Sequence, residues 1–477
     1  MNDASDMSNG LAQLEAALAQ DLARLNHPPT EWTPRRYDSS GHPVADVAII
    51  GGGMCGLAAA FALRRMGIAN IRQIDRRPPG LEGPWLTYAR MQTLRSPKHL
   101  TGPALGFPNL TFRAWWEAKG RDWDRLDRIL RPDWMAYLRW YARVTGALVE
   151  NNVRLDAVTP ISDVIQLALH GTDGPETLTA RRVVLATGRE GQASPRVPPP
   201  LDPFIGAEVR HSSDDIDFAA LRGKEVVVIG LAASAFDNAA TALEAGAARV
   251  TLIGRANAMP RLNKMKQTVY PGFTHGFVDL PDADKLALLD HVMQHRIAPP
   301  RASVLRISQD PNVSLVLGVE VTHATRGTTG LNLTTSKGII RADRVILGTG
   351  FAIDLDAPAE LSAVAGDILR WGDRVPQATG EWAAFPYLGT GFDLQGNDET
   401  DLSRIHCFTH TAQLSLGNLA NDIPAVSEGA DRLARAIAAS LFVEDRAYHK
   451  QRLMEYAEPE LLGDEWPGLT AWDPPSG

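Results

Sequence analysis

Apolar residues recur at helical spacing from Leu11 to Leu25, with Glu15 and Asp21 between them, which predicts a helix ahead of the first strand. It has neither the basic start nor the continuous apolar core of a signal peptide. Val47 to Ile50 is an unbroken apolar run of the kind found in strands buried on both faces. An Ala- and Leu-rich stretch from about Leu57 to Met66 predicts a helix, and a second short strand ends at Asp75. Regular patterning then stops. Glycines and prolines punctuate residues 76 to 108, which read as a long loop carrying Trp85, Tyr88, Arg90, Gln92, Arg95, Lys98 and His99. Long ordered loops in enzymes are often functional. Asp133 to Arg143 has an amphipathic helical pattern within a tryptophan-rich segment, whose aromatics are expected in the core. Short strands follow, and the last runs from Arg182 to Leu185 into the turn Thr187-Gly188.

The pattern then starts again. After the proline-rich stretch Pro195 to Pro203, Glu225 to Ile229 predicts a strand. A helix follows from Gly230 to about Ala245, and a strand from Arg249 to Ile253 ends at Gly254-Arg255. A helix is expected from Ala283 to Gln294. Strands are expected near Val304, at Val313 to Leu317 and at Leu331 to Thr334. Arg344 to Leu347 runs into Gly348-Thr349-Gly350, a second copy of the earlier strand-to-turn. Ile423 to Phe442 predicts a closing helix. Two copies of one strand–helix–strand plan predict an α/β protein with two Rossmann-like dinucleotide-binding domains, the second inserted into the first. The expected limits are a helical extension over 1–45, a first domain over 46–190 and 351–445, an inserted domain over 191–350, and a surface tail over 446–477.

The turns carry the candidate chemistry. Gly51, Gly53 and Gly56 fit G-x-G-x-x-G between a strand and a helix, and Asp75 ends the next strand. Gly51 allows the tight turn, Gly53 lets backbone approach a pyrophosphate, and Gly56 lets helix and strand pack closely. Asp75 can accept hydrogen bonds from a ribose diol. In the second copy Gly230 and Ser234 open the helix, Ala232 replaces the middle glycine, and Arg255 stands where Asp75 stands in the first. A guanidinium suits a 2′-phosphate, so the second cofactor is expected to be NADPH.

Composition narrows the picture a little. With 44% hydrophobic and 22% charged residues the chain matches an ordinary globular enzyme, and a net charge of −8 argues against a general nucleic-acid surface. No apolar run is long enough to span a bilayer. Cys55 and Cys407 are the only cysteines, so no disulfide framework, C-x-x-C redox pair or cysteine metal site is available, which fits a reducing cytoplasm. His406 and His410 could share a helix face, but no third ligand is evident nearby, and no metal is expected.

These motifs, with Gly83-Pro84-Trp85 and the turns at Thr187 and Thr349, resemble those of the single-component FAD- and NADPH-dependent flavoprotein monooxygenases. That group includes the flavin-containing monooxygenases, the Baeyer–Villiger monooxygenases and the N-hydroxylases. Met91-Gln92 and Ser96 to Leu100 are most similar to the flavin-facing loop of the N-hydroxylases, as Asp133 to Trp140 is to one of their helices. Phe204 to His211 only partly matches the Baeyer–Villiger signature. The resemblance implies that FAD lies on Gly51, Gly53, Gly56, Asp75, Trp85 and Gln92, and NADPH on Gly230, Ser234 and Arg255, with Thr187 and Thr349 also at the cofactors. It implies oxygen transfer from O2 through a C4a-hydroperoxyflavin to a small nucleophilic substrate, N-hydroxylation of an amine or amino acid foremost. Gln92 and Lys98 would then face the reaction. S-oxygenation, Baeyer–Villiger oxygenation and electron transfer to a quinone or protein partner are the alternatives, and a catalytically silent flavin-binding scaffold is a further one. A homo-oligomer is left open.

Overall fold

The computed structural model describes residues 3–397, 400–420, 422–462, 465, 466 and 468. Helix α1 (Asp3–Arg24) begins earlier than the apolar spacing requires. It buries Leu14 and Leu18. Its Glu15 accepts hydrogen bonds from Trp140 Nε1 at 3.1 Å and from the Arg143 guanidinium, so the extension packs on the body of the protein.

Strand β1 (Pro43–Ile50) is buried at every position but its first, as a strand covered on both faces must be. It leads through the glycine turn into α2 (Met54–Arg65) and then β2 (Ile71–Asp75). The loop region follows. Helix α3 (Arg131–Val144) buries Trp134, Tyr137, Leu138, Trp140 and Tyr141. Trp134 and Tyr137 lie against Phe112, with ring centroids 5.8 and 5.5 Å away. The tryptophan-rich segment is therefore core, each ring pair adding about 0.5–1.5 kcal/mol beyond its buried area. Strand β3 (Val149–Asn151) pairs parallel with β2, and β4 (Arg154–Ile161), β5 (Val164–Gly171) and β6 (Gly174–Leu185) form an antiparallel meander. The long β6 has two halves. Its exposed first half pairs antiparallel with β5, and its buried second half pairs parallel with β1.

After β7 (Ala193–Pro195) and β8 (Val209–His211) comes the second unit: β9 (Glu225–Ile229), α4 (Ala233–Glu244), β10 (Arg249–Gly254) and β11 (Val313–Leu317). A three-stranded meander, β12 (Val321–Arg326), β13 (Leu331–Thr335) and β14 (Gly338–Ala342), precedes β15 (Arg344–Leu347). The five-stranded sheet has the order β11-β10-β9-β15-β8 and is parallel throughout. One expectation is corrected. Val304 lies in a short helix, Arg301–Leu305, because Pro300 at the N-cap starts a helical turn that outweighs one β-branched residue.

The chain returns through β16 (Phe351–Ile353), which pairs antiparallel with β7, so the two crossings between units lie side by side. Strand β17 (Ile405–Cys407) adds parallel to β6 in the first sheet. Helix α5 (Val426–Glu444) closes the unit, and α6 (Arg446–Glu455) gives the expected surface tail a helical start. The remainder of that tail lies largely outside the described residues. The α4 sheet is thus an inserted Rossmann-like domain, and both units open their nucleotide turns at the carboxyl ends of parallel strands, where open α/β sheets bind ligands.

At the opposite end of the first sheet, Arg181 is fully buried in an ion network. It meets Asp46 at 3.0 Å, Glu444 at 3.0 Å and Asp445 at 2.7 Å. Arg182 and Arg404 share Glu444, and Arg36 meets both Glu444 and Asp445. The network ties the α5–α6 corner to the amino half of β1 and to the start of the parallel half of β6.

Candidate active site

Backbone geometry explains the glycines of the first turn. Gly51 has φ +120°, and a Cβ there would run into the Ala186 carbonyl. At Gly56 a Cβ would overlap the carbonyl of Gly51. Gly53 differs. It is the N-cap of α2 in extended conformation, and a Cβ would stand 3.7 Å from the Gly83 Cα, an ordinary contact. Nothing in the protein itself requires glycine there, which is the signature of a surface kept clear for a ligand. Asp75 is buried, and its carboxylate accepts from Gly52 N and Arg77 N, each at 2.7 Å. Burial, working against those two bonds, holds its pKa above the ordinary value.

The second unit repeats the construction. Gly230 has φ +135°, and a Cβ there would run into the carbonyl of Gly348, as Gly51 does into Ala186. Ser234 lies in the first turn of α4, with Ala232 at the N-cap. Arg255 follows β10 directly and, among the described residues, is held only by Glu320, 3.7 Å away, with 71% of its side chain exposed. Thr349 donates its hydroxyl to Arg196 O. We expect Arg255→Ala to raise the KM for NADPH about tenfold with little effect on NADH, since a lost charged hydrogen bond costs about 1.5–3 kcal/mol. Steady-state kinetics with both nucleotides check it, and equal effects would remove Arg255 from 2′-phosphate recognition.

The polar residues of the loop have partners within the protein. Lys98 turns its ammonium onto Trp123 O at 2.7 Å and Leu126 O at 2.6 Å, and over the Trp123 ring. It therefore holds the 123–126 segment. Gln92 is exposed and reaches Glu244 of α4 at 3.4 Å. Arg95 meets Asp237 of α4 at 3.3 Å, and Arg306 bridges Asp237, Glu244 and Arg90 O. The loop is thus latched to the helix that opens the second nucleotide turn. Arg131 fixes it from below through the carbonyls of Trp85 and Met91.

Three buried polar atoms near the carboxyl ends of the first sheet's strands have no partner: Trp85 Nε1, Thr187 Oγ1 and His410 Nδ1. Thr187 follows β6, and His410 follows β17. His406 lies within β17, bonded to Gly391 O, while His410 opens a short turn, so the two histidines do not share a helix face. No metal-ligating cluster occurs among the described residues. Burial pushes the His410 pKa down to about 3, with the Arg189 charge adding to the shift, so the ring is neutral at ordinary pH. Tyr88 is pushed up to about 12 by burial and then by the charge of Glu190. Arg189 is exposed on one side, yet enough protein surrounds it that desolvation, with Arg95 nearby, lowers its pKa. Arg189 was not singled out in the sequence, and His410 was weighed there only as a metal ligand. The signal available was the residue following a strand-to-TG turn. The cleared Gly53 surface, the buried Asp75 and the unpaired Trp85 Nε1 fit a large polar dinucleotide.

Comparison with known proteins bears on that fit. The model of the pyridine nucleotide-disulphide oxidoreductase family matches residues 48–305. The FAD-dependent urate hydroxylase of Xanthomonas campestris pv. campestris is 38% identical over 470 residues, covering 96% of this chain and 99% of the relative. The chain belongs to the FAD- and NADPH-dependent flavoprotein monooxygenases. This monooxygenase shares its fold with the ornithine hydroxylase of Pseudomonas aeruginosa, at TM-score 0.66 and 18% identity over 83% of this chain and 100% of the other. The ornithine N-hydroxylase of Kutzneria sp. 744 matches at TM-score 0.64 and 17% identity, with the same two coverages. Cys407 is buried, and burial pushes its thiol up to about 12. No helix among the described residues is long and apolar enough to cross a membrane.

Proposed function

We propose that this monooxygenase hydroxylates a small, planar, electron-rich heterocyclic anion of the urate type, at the expense of NADPH and O2. The relation to the urate hydroxylase carries the reading, because it runs through both nucleotide units and the turns after β6 and β17. Bound FAD would accept hydride from NADPH and, with O2, supply one oxygen atom to the substrate. The chain's own residues bind, orient and keep water out. Gly51, Gly53, Gly56 and the first turn of α2 would face the pyrophosphate, and Asp75 the ribose. Gly230, Ser234, Arg255 and Thr349 would hold NADPH. Trp85 and Thr187 offer unpaired polar atoms, and neutral His410 offers a hydrogen bond without adding charge. Trp85 packs edge-on against Trp134, 6.1 Å between centroids, and gives the site a dry wall. In this reading the domains divide near residues 190 and 350, where β7 and β16 cross.

N-hydroxylation of an amine or amino acid is the second reading, favoured by the Met91 to Leu100 loop and by the shared fold. Its support from Lys98 weakens, because that ammonium is already engaged by two carbonyls. The test is oxygen-dependent NADPH consumption by the FAD-loaded enzyme with urate, ornithine, lysine and a quinone, together with product mass. Urate that gains one oxygen atom supports the proposal. Stimulation by the amines alone transfers the function to the second reading, and turnover with the quinone alone makes the protein a reductase.

A further inference from the structure

We infer that Arg189, with Thr187 Oγ1 and His410 Nδ1 beside it, is the subsite that pairs with the anionic edge of the substrate. This rests on the reading above and names the group that would select such a substrate. The placement comes from strand register. Leu185 of β6 stands opposite Cys407 of β17 in a parallel pair. Gly188 and His410 therefore emerge side by side past the strand ends, and Arg189 follows. Both neighbouring turns carry a buried polar atom with no partner, Thr187 Oγ1 and His410 Nδ1.

The guanidinium is the unusual element. Several buried or half-buried arginines elsewhere have fixed partners: Arg181 meets three carboxylates, Arg182 meets Glu444, Arg306 meets Asp237 and Glu244, and Arg64 and Arg131 meet backbone carbonyls. Arg189 makes no hydrogen bond or ion pair within reach among the described residues. The groups that face it are Arg95, a like charge, the neutral phenol of Tyr88, neutral His410 and Asp422, which burial holds above the usual carboxylate range. The guanidinium is open to solvent on one side and has no fixed hydrogen-bonded anion among the described residues, so an incoming anion can pair with it. Its planar fork matches a planar anion with two acceptors on one edge. The same charge repels the ammonium group of an amine presented for N-oxidation. One residue would thus favour an anionic heterocycle over an amine.

The competing role is pairing with FAD itself. Arg189→Gln and Arg189→Lys, each purified as holoenzyme, separate the two. FAD per chain is measured, and urate Kd is read from the change in flavin absorbance of the oxidised enzyme, without turnover. We expect both variants to keep FAD at the wild-type ratio. Urate Kd should rise about 30-fold in Arg189→Gln, the loss of one charge-assisted pair, and less in Arg189→Lys. Loss of FAD from both variants would assign Arg189 to the cofactor. An unchanged Kd in Arg189→Gln would remove the subsite while leaving the urate reading intact. A wild-type enzyme that binds ornithine and not urate would overturn that reading and the subsite together.

Discussion

Gly53→Val is expected to give a folded, colourless protein. Gly53 occupies an extended conformation open to any residue, and a Cβ there meets only the Gly83 Cα at ordinary distance. A β-branched residue at this N-cap costs about 1 kcal/mol, which a protein of this size can absorb. What valine fills is the approach to the first turn of α2, where a pyrophosphate would lie. The neighbouring Gly56→Val makes the contrast. Its side chain would collide with the Gly51 carbonyl and stand 2.9 Å from Gln73 Nε2 even at Cβ, so it is expected to lose the fold along with the cofactor. Flavin absorbance per chain and a circular-dichroism melt distinguish the two. If Gly53→Val remains yellow at full occupancy, the phosphate cradle is not at this turn.

The second large effect lies far from the chemistry. Arg181→Met should cost about 3–5 kcal/mol, because Asp46 would stay buried without its cation and Asp445 would keep only Arg36. Urea denaturation measures it, and a loss below about 1 kcal/mol would mean the network is not the closed set described. Acid adds a check. Burial raises the Glu444 pKa, but the Arg404 hydrogen bond and the charges of Arg182 and Arg181 outweigh it and bring the value to about 2. A carboxyl lowered by folding contributes stability above its ordinary range, and that contribution is lost as pH falls toward about 2. The acid loss in Arg181→Met should be shallower, since one source of the lowering is removed. FAD content of the folded fraction should hold, because the network sits at the amino ends of the strands and the cofactor turns at the carboxyl ends.

What the sequence made legible was local. The turn from Gly51 to Gly56, the strand ending at Asp75 and the copy from Gly230 to Arg255 each lie within one strand–helix–strand unit, where spacing and glycine chemistry suffice. The inserted arrangement followed from the repeat. What stayed hidden depended on distant partners. Lys98 looked like a free cation because its acceptors, Trp123 O and Leu126 O, are backbone atoms of a later loop. The acids of α4 that meet Gln92 and Arg95 lie in the inserted unit, so nothing near the loop in sequence points to these contacts. Arg189 and His410 become neighbours only through the pairing of β6 with β17, which no local pattern announces. Val304 failed for another reason: a β-branched residue was weighed above the Pro300 that starts its helix.

The pairing of β17 with β6 also sets the order in which the molecule can be assembled. As the chain leaves the ribosome, β6 is complete while the inserted unit and the segment after it are still to be made, and one edge of β6 has no neighbour until β17 appears. The inserted sheet is complete once β15 has been made, and it can fold as a unit in the meantime. Through that interval the first unit presents an open, apolar parallel edge, the kind of surface that chaperones cover and that aggregates when they do not. Chains truncated between β15 and β17 should therefore be recovered as aggregates or chaperone complexes, although both glycine turns are already present.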